Sequence, residues 1–343
     1  MTRYSDNERI TIDPKSSQLR TIGHGGQGRV YLFDDGTQPL AIKLIPNERN
    51  TFRRVKALRD TVERYNALHP PITTPKEHVT GRQWLALYRQ AGLRGMSYRG
   101  LPIAQGFATP DAFGFSGVKS LSALAFRYVD GSPLDIALEE EPPLSVRRRQ
   151  LSLQLVDILS MMQILKITHN DLYPDNFLVD AHNQLFLIDL EGAGIFHPDS
   201  DAPLFHPSAA GKQQLFPLAP EAMTTAQSLS QDVWIGAYLL FYTLCNFKPF
   251  DFLRQTSIRA IEEIALLANP DKPTWPPTFA SAPSPRLFNP NFSLDKMREF
   301  MQYYFAGTRF EQLLFRTFIV GLRAPRSRPA IWIYKDPIVR ATN

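Results

Sequence analysis

The sequence predicts an α+β fold, in which a small β-rich part is followed by a larger helical part. Over residues 10–45, short β-type runs are separated by turn residues. From about residue 144 onward, apolar residues recur at helical spacing instead, and the chain shows no internal repeat. Because the signal changes near residue 129, we expect two lobes, residues 1–129 and 130–343, with a cleft between them.

Most of the first part is predicted to be strand. Val30–Phe33 follows a glycine-rich turn, and Leu40–Ile45 is a compact β run. Residues 48–68 are charged and predict a helix that ends at "HPPITTP". Two further strands are expected in "LPIAQGFAT" and "ALAFRYV", the first after an insertion at about 70–100 that contains a short helix over 82–94. The apolar face of the helix at 48–68 comprises Val55, Leu58, Val62 and Tyr65.

The second part is predicted to be mainly helical. An amphipathic helix is expected over 144–166 and a buried helix over about 229–246. A proline-rich loop at 269–290 precedes two more helices, over about 293–305 and 308–321. The apolar face of the helix at 144–166 comprises Leu151, Leu155, Ile158, Leu159, Met162 and Leu165.

Composition excludes several classes of protein. Hydrophobic residues make up 43% of the 343 residues and charged residues 21%, which is a globular balance. The net charge of +5 comes from scattered basic residues, so there is no strong nucleic-acid signal. Cys245 stands alone, which rules out an intramolecular disulfide. The longest apolar run, Val233–Cys245, is too short for a membrane span, and "MTRYSDNERI" lacks the apolar core of a signal peptide, so we expect a cytoplasmic protein.

A glycine-rich turn and a strand lysine form the first candidate site. Glycines let a turn approach a ligand closely, and their backbone amides can face phosphate oxygens. A plain glycine-rich hairpin fits the same pattern. Lys43 interrupts the apolar strand "LAIKLI", where its cation can reach phosphates held under the turn, or where it is a solvated edge residue. The glycines in "IGHGGQGRVYLF" are Gly23, Gly25, Gly26 and Gly28.

The segments "HNDLYPDNFLVD" and "LFLIDLEGAG" form the second candidate site. Phosphoryl transfer to a hydroxyl needs a carboxylate that orients the hydroxyl and accepts its proton, and hard oxygen ligands for Mg²⁺. Asp171 suits the first role, and Asn176 and Asp189 suit the second. A hairpin of Phe177–Val179 with Leu185–Ile188 would bring the two ligands together. The alternative for this stretch is a capped helix followed by a polar hairpin.

In this order, the glycine loop, strand lysine, catalytic loop and magnesium aspartate resemble the eukaryotic-type protein kinase family over almost the whole chain. The resemblance implies a two-lobed kinase-like fold, dependence on ATP and Mg²⁺, and phosphorylation of serine or threonine in a protein substrate, possibly the chain itself. Lys43 takes the place of the phosphate lysine. Glu63 lies about where the family places the glutamate that pairs with this lysine; alternatively, it is a solvated surface charge.

The resemblance also implies an ATP pocket. "AFRYVDGSPL" is similar to the family's hinge, which puts Phe126 at the gatekeeper position and Arg127 and Val129 beside the adenine. The glycines named above would cover the phosphates. The apolar walls of the pocket would be Val30, Ala41 and Leu178.

Three motifs of the second part extend the resemblance. Ala219–Glu221 in "LAPEAM" matches the end of the activation segment. Asp232, at the start of the buried helix, would hold the backbone of the catalytic loop. Arg328 in "RSRPAIW" would pair with Glu221.

Several positions depart from the family and indicate a divergent, bacterial-like member. Asn170 replaces the arginine that precedes the catalytic aspartate, so activity is not expected to require a phosphorylated activation segment. Tyr173 replaces a lysine that contacts the γ-phosphate. Leu190 and Glu191 replace the usual Phe-Gly after the magnesium aspartate.

Two alternative functions remain open on the sequence. A glutamate just after the magnesium aspartate, together with "HNDLYPDN", resembles small-molecule kinases of the aminoglycoside and choline kinase type. Those families lack the Ala-Pro-Glu segment and the Asp-Val-Trp helix, which favours a protein substrate. A nucleotide-binding pseudokinase is the second alternative, and the intact Lys43, Asp171, Asn176 and Asp189 argue against it.

Overall fold

The structure is a computed structural model. The residues it describes are 11–12, 19–25, 28–34, 39–46, 49–68, 106–108, 115–116, 121–169, 171–200, 202–206, 229–246, 305–320 and 328–340. The predicted insertion at about 70–100 with its short helix, the proline-rich segment 269–290 and all but the last residue of the predicted helix 293–305 lie outside these ranges.

The first part of the chain builds a five-stranded antiparallel sheet. Its order is β2-β3-β4-β7-β5, and the short strands β1 and β6 pair separately. The predicted runs at Val30–Phe33 and Leu40–Ile45 fall within β3 and β4, so both are confirmed. The predicted strand in "ALAFRYV" is confirmed up to Arg127, where β7 ends. The strands are β1 (Thr11–Ile12), β2 (Leu19–Gly25), β3 (Gly28–Phe33), β4 (Leu40–Pro46), β5 (Gly106–Ala108), β6 (Phe115–Ser116) and β7 (Leu121–Arg127).

The two faces of this sheet pack against different partners, because successive side chains of a strand point to opposite sides. One face buries Ile42 and Leu44 in a core with Tyr31 and Phe115. On the other face, Ile45 and Leu124 pack with Val55 of the following helix. Lys43 lies two residues before Ile45 and therefore points to the helix-covered face.

Helix α1 (Arg49–Leu68) agrees with the predicted helix over 48–68. Its predicted apolar residues Val55, Leu58 and Val62 are buried. Leu58 and Val62 belong to the same core as Leu190, a residue of the second candidate site. Helix α1 therefore packs on both the sheet and the segment that follows Asp189.

The second part contains two three-stranded antiparallel sheets, with the orders β11-β10-β8 and β13-β12-β9. Phe177 lies opposite Leu187, which confirms the predicted hairpin. The short strands of the second sheet were not predicted, because two or three residues carry no periodic signal. The strands are β8 (Gly131–Pro133), β9 (Ile167–Thr168), β10 (Phe177–Asp180), β11 (Leu185–Leu187), β12 (Gly194–Phe196) and β13 (Pro203–Phe205).

Helices provide most of the core of the second part. All six apolar-face residues of the helix predicted at 144–166 are buried. The helix predicted at about 229–246 is buried on every side from Gln231 to Cys245. The predicted helix over 308–321 is α-helical only to Phe315 and continues as a π-helical turn, Arg316–Val320. The helices are α2 (Leu134–Ala137), α3 (Val146–Ile164), α4 (Leu229–Cys245), α5 (Arg309–Phe315) and α6 (Lys335–Arg340), with a 3₁₀ turn at Ile331–Tyr334. Separate antiparallel sheets and helices give the predicted α+β class.

Arg148 joins the two central helices of this core. Its side chain is fully buried, and the guanidinium donates to the carbonyl oxygens of Leu138 at 2.7 Å, Glu141 at 2.8 Å and Thr243 at 2.9 Å. Burial lowers the pKa of Arg148. The guanidinium satisfies carbonyls at the end of α4 and in the loop before α3, so it connects these elements.

Across the described ranges, no helix is both long enough and apolar enough to cross a membrane.

Candidate active site

Asp232, a buried residue of α4, binds the backbone of the loop between β9 and β10. Asp232 accepts a hydrogen bond from the backbone N–H of His169 at 2.8 Å, so the predicted contact of Asp232 with this loop is present. The His169 ring is buried, and its Nε2 lies 2.8 Å from the carbonyl oxygen of Ile188, the residue before Asp189. Burial lowers the pKa of His169, so the ring is neutral near pH 7 and donates from Nε2. His169 thus ties the loop to the start of the Asp189 segment.

Asp171 and Asn176 contact each other directly. The Nδ2 of Asn176 donates to the backbone carbonyl of Asp171 at 2.7 Å and to its Oδ2 at 3.2 Å. Pro174–Asn176 forms a 3₁₀ turn that brings the two residues together, and proline favours the start of such a turn. Because the amide nitrogen of Asn176 is used by these bonds, its Oδ1 is the atom that can face a cation.

The Asp171 carboxyl is only partly shielded from solvent. Burial raises the pKa of Asp171 above its ordinary value, although His169 and the hydrogen bond from Asn176 act in the opposite direction. A raised pKa makes the carboxylate a stronger proton acceptor. Asp171 therefore has the properties that a residue orienting and deprotonating a hydroxyl requires.

Asp189 follows the hairpin and has a left-handed backbone, with φ 69° and ψ 39°. Few residues other than glycine, asparagine and aspartate adopt this conformation. The hairpin positions it, since the backbone N–H of Ile188 donates to the carbonyl of Asn176 at 2.8 Å. The backbone of Asn176, one predicted metal ligand, is therefore hydrogen-bonded to the residue that precedes Asp189, the other predicted ligand.

Lys43 forms ion pairs with both Asp189 and Glu191. It is 8% exposed and Glu191 4% exposed, so both charges are largely removed from water. Burial works to lower the pKa of Lys43, but the carboxylates of Glu191 and Asp189 outweigh it and raise that pKa above its ordinary value. The lysine is therefore a permanent cation at the centre of the site.

The two carboxylates beside Lys43 differ in their pKa values. Burial raises the pKa of Asp189, but the Lys43 ammonium and the hydrogen bond with Glu191 together outweigh this and bring the value down to about 2. Burial raises the pKa of Glu191 to about 7, with Asp189 adding to the rise and Lys43 opposing it. Asp189 is thus an anion at neutral pH, and Glu191 changes protonation close to it.

Sequence reasoning did not predict the contact between Lys43 and Glu191. Glu191 was singled out as a departure from the kinase pattern, but its partner was not identified. Its position two residues after Asp189 was the available signal. Glu63 lies on α1, but its side chain is outside the described residues, so its pairing with Lys43 stays a prediction.

The sheet brings several predicted ATP-pocket residues to one face. Residues that pair across antiparallel strands point to the same side. Val30 pairs with Lys43, and Ala41 pairs with Phe126, while Ala41 and Lys43 lie two apart on β4. Val30, Ala41 and Phe126 are all half-buried on the side of the sheet that carries Lys43.

The other predicted pocket residues are placed less closely by the described contacts. Arg127 is exposed at the end of β7, and Val129 is half-buried just beyond it. Leu178 lies on β10, opposite Pro133 of β8. Gly23, Gly25 and Gly28 line the two-stranded β2–β3 ladder, with Gly25 opposite Gly28, whereas Gly26 lies outside the described residues.

Other predicted positions fall outside the described residues. Asn170 and the Ala219–Glu221 segment are among them, so the predicted pair of Arg328 with Glu221 is not tested. Arg328 itself is buried; its Nη1 donates to the carbonyl of Ser230 at 2.9 Å, and its guanidinium lies 5.0 Å from the ring centre of Trp234. Both contacts attach the C-terminal segment to the start of α4.

Comparisons with known proteins point to protein kinases. No protein-family model matches the chain. The chain is 25% identical over 176 residues to CBL-interacting protein kinase 9 of Oryza sativa subsp. japonica, which covers 50% of this chain and 37% of that protein. It is 27% identical over 138 residues to a CDPK-related protein kinase of Daucus carota, covering 39% and 22% of the two chains. A probable serine/threonine-protein kinase of Dictyostelium discoideum, fhkE, is 32% identical over 119 residues, covering 33% and 16%.

These partial similarities support a relationship to serine/threonine protein kinases. The chain spans less than two fifths of the length of each of these three relatives. The relatives come from plants and Dictyostelium, so they do not support the expectation of a bacterial-like member.

Proposed function

We propose that this chain is an ATP- and Mg²⁺-dependent protein kinase that transfers the γ-phosphate to serine or threonine hydroxyls of a protein substrate. The arrangement of Lys43, Asp171, Asn176 and Asp189 carries the proposal. Asp171 is bonded to Asn176, Asn176 to the backbone before Asp189, and Asp189 to Lys43. One cation, one base and two oxygen ligands thus form a continuous chain of contacts, as phosphoryl transfer requires.

The residues present fit a magnesium ion. Asp189 is ionised at neutral pH, and Asn176 offers its side-chain Oδ1; both are the hard oxygen donors that Mg²⁺ prefers. In the described part of the chain, no group of three or more His, Cys, Asp or Glu side chains forms a metal cluster. Two protein ligands are sufficient here, because Mg²⁺ usually keeps waters and binds nucleotide phosphates as well.

In this proposal each of the site residues has a defined role. The bound Mg²⁺ neutralises charge between the phosphates. Lys43 adds a fixed positive charge on the phosphates, and Val30, Ala41 and Phe126 provide an apolar surface for the adenine. Asp171 accepts a hydrogen bond from the acceptor hydroxyl and then its proton. ATP would bind in a cleft between two lobes, which are residues 1–129 and residues 130–343.

The direct test is phosphate transfer from radiolabelled ATP to a generic protein acceptor and to the chain itself. Asp171→Asn keeps the size of the side chain but removes the proton acceptor, so we expect transfer to fall roughly 10²–10⁴-fold. Asp175→Asn is the matched control, because Asp175 lies in the same loop but is exposed. Phosphoserine or phosphothreonine should appear with the wild type and the control.

A small-molecule kinase is the second candidate, and buried Glu191 directly after the Asp189 segment favours it. The same assay with a panel of amino alcohols and aminoglycosides distinguishes the two. Label found only on a small alcohol would contradict the protein-kinase proposal. Nucleotide binding without any transfer would instead indicate a pseudokinase.

A further inference from the structure

Lys43 needs a partner that holds its ammonium in place while Asp189 is occupied. Asp189 is the proposed metal ligand, and its Oδ1 is also a partner of Lys43. A carboxylate oxygen that coordinates a cation is a weaker acceptor for an ammonium beside it, since both positive charges share the same electron density. Without a second acceptor, binding a metal would loosen the lysine.

Glu191 has the position and the environment for this second acceptor. Its Oε1 pairs with Lys43, and its side chain is 4% exposed, so the pair is not weakened by water. The residue lies on the 3₁₀ turn Leu190–Gly192, immediately after Asp189, and the turn's Leu190 packs in the core with Leu58 and Val62 of helix α1. The carboxylate is therefore placed by a packed turn.

We propose that Glu191, and not a residue of helix α1, is the carboxylate that positions Lys43 toward the nucleotide phosphates. This inference rests on the proposed kinase function. The positions of Lys43, Glu191 and Asp189 are then set by strand β4 and by the short segment from Asp189 to Gly192. The carboxylate that places Lys43 consequently comes from this segment, and α1 supports it by packing Leu58 and Val62 in the same core as Leu190.

The test compares Glu191→Gln with Glu140→Gln, a control that makes the same change at an exposed glutamate. We expect Glu191→Gln to weaken binding of a fluorescent ADP analogue roughly tenfold, the effect of losing one charge-assisted hydrogen bond, and to raise the KM for ATP similarly. Binding is measured at equilibrium with Mg²⁺ present, so that Asp189 is occupied. The ADP analogue has no γ-phosphate to transfer, so the measurement does not depend on turnover. Glu140→Gln should match the wild type.

A double-mutant cycle separates positioning of Lys43 from general stabilisation. In a Lys43→Met background, Glu191→Gln should have almost no further effect on analogue binding, because the group it positions is absent. A penalty that persists unchanged in that background would overturn the inference. So would a larger loss for Glu63→Gln than for Glu191→Gln.

Other outcomes are also decisive. If Glu191→Gln changes only the Mg²⁺ concentration needed for turnover, Glu191 is a metal ligand and the inference is wrong. If Glu191→Gln does not fold by circular dichroism, Glu191→Asp replaces it, and a KM for ATP equal to that of the wild type would refute positioning. A wild type that neither binds nucleotide nor transfers phosphate overturns the proposed function, whereas an active wild type with an unaffected Glu191→Gln overturns only this inference.

Discussion

The protonation of Glu191 should make the stability of the protein depend on pH. Burial raises its pKa from an ordinary 4.5 to about 7, and Asp189 adds to this effect while Lys43 opposes it. A carboxyl group with a raised pKa in the folded state binds its proton more tightly there than in the unfolded chain. Its contribution is therefore fully present below pH 4.5 and is lost as the pH rises through 7.

The magnitude follows from the interval between the two pKa values. At about 1.4 kcal/mol per pH unit, the wild type should lose about 3 kcal/mol of unfolding free energy between pH 4.5 and pH 7.5 through this group. Glu191→Gln cannot ionise and should lack this loss. The difference between the two proteins is the quantity to measure, because it cancels the contributions of the other titrating groups.

Urea unfolding followed by far-UV circular dichroism measures this difference at half-unit steps of pH. The free energy of Glu191→Gln minus that of the wild type should increase with pH by about 3 kcal/mol across the range. Parallel curves for the two proteins would refute the reasoning, since they would mean that Glu191 titrates alike in the folded and unfolded states. A difference that decreases with pH would show that the Lys43 pair, and not burial, dominates.

Three further predictions concern the scaffold of the site. Gly131→Ala should lower the Tm by several degrees, because the added methyl group would lie 2.8 Å from a backbone oxygen of β10, whereas Gly23→Ala, whose methyl meets nothing within 4 Å, should change it little. Arg148→Met should cost about 3 kcal/mol in urea unfolding, because it removes the guanidinium donor from the carbonyl groups of Leu138, Glu141 and Thr243; an unchanged midpoint, equal to that of the exposed Gln150→Met control, would contradict this. Asp232→Ala should lower the free energy of unfolding by about 2 kcal/mol, measured by urea unfolding. In steady-state kinetics it should reduce phosphate transfer more than it weakens nucleotide binding. Equal losses of phosphate transfer and nucleotide binding would show that Asp232 does not act through the catalytic loop.

Local patterns allowed several elements to be predicted from the sequence. Helix α1, helix α3 and helix α4 were found within two residues of their observed ends, because each buries a face or a whole surface long enough to give a periodic signal. The β10–β11 hairpin was found because two apolar runs are joined by a polar turn.

Other elements could not be found in this way. Strands β8, β9, β12 and β13 have two or three residues each, and they exist because neighbouring chain segments supply their hydrogen-bond partners. The burial of Arg148 could not be predicted from the sequence either. Its neighbours in sequence are also arginines, and it differs from them in the carbonyl groups of Leu138, Glu141 and Thr243 that its guanidinium reaches in the fold.

The sequence by itself determined which chemical groups the protein has for phosphoryl transfer and their order along the chain. The spacing of Asp171, Asn176 and Asp189 could be read locally, because a turn and a hairpin connect them. The partner of Lys43 could not be read from the local sequence, because an ammonium pairs with any carboxylate that the fold brings within reach. Asp189 lies 146 residues away along the chain. Packing of α1 against β4, and of the Leu190–Gly192 turn against α1, decided that Lys43 meets Asp189 and Glu191. Burial of the three charges together gives them their separate protonation states.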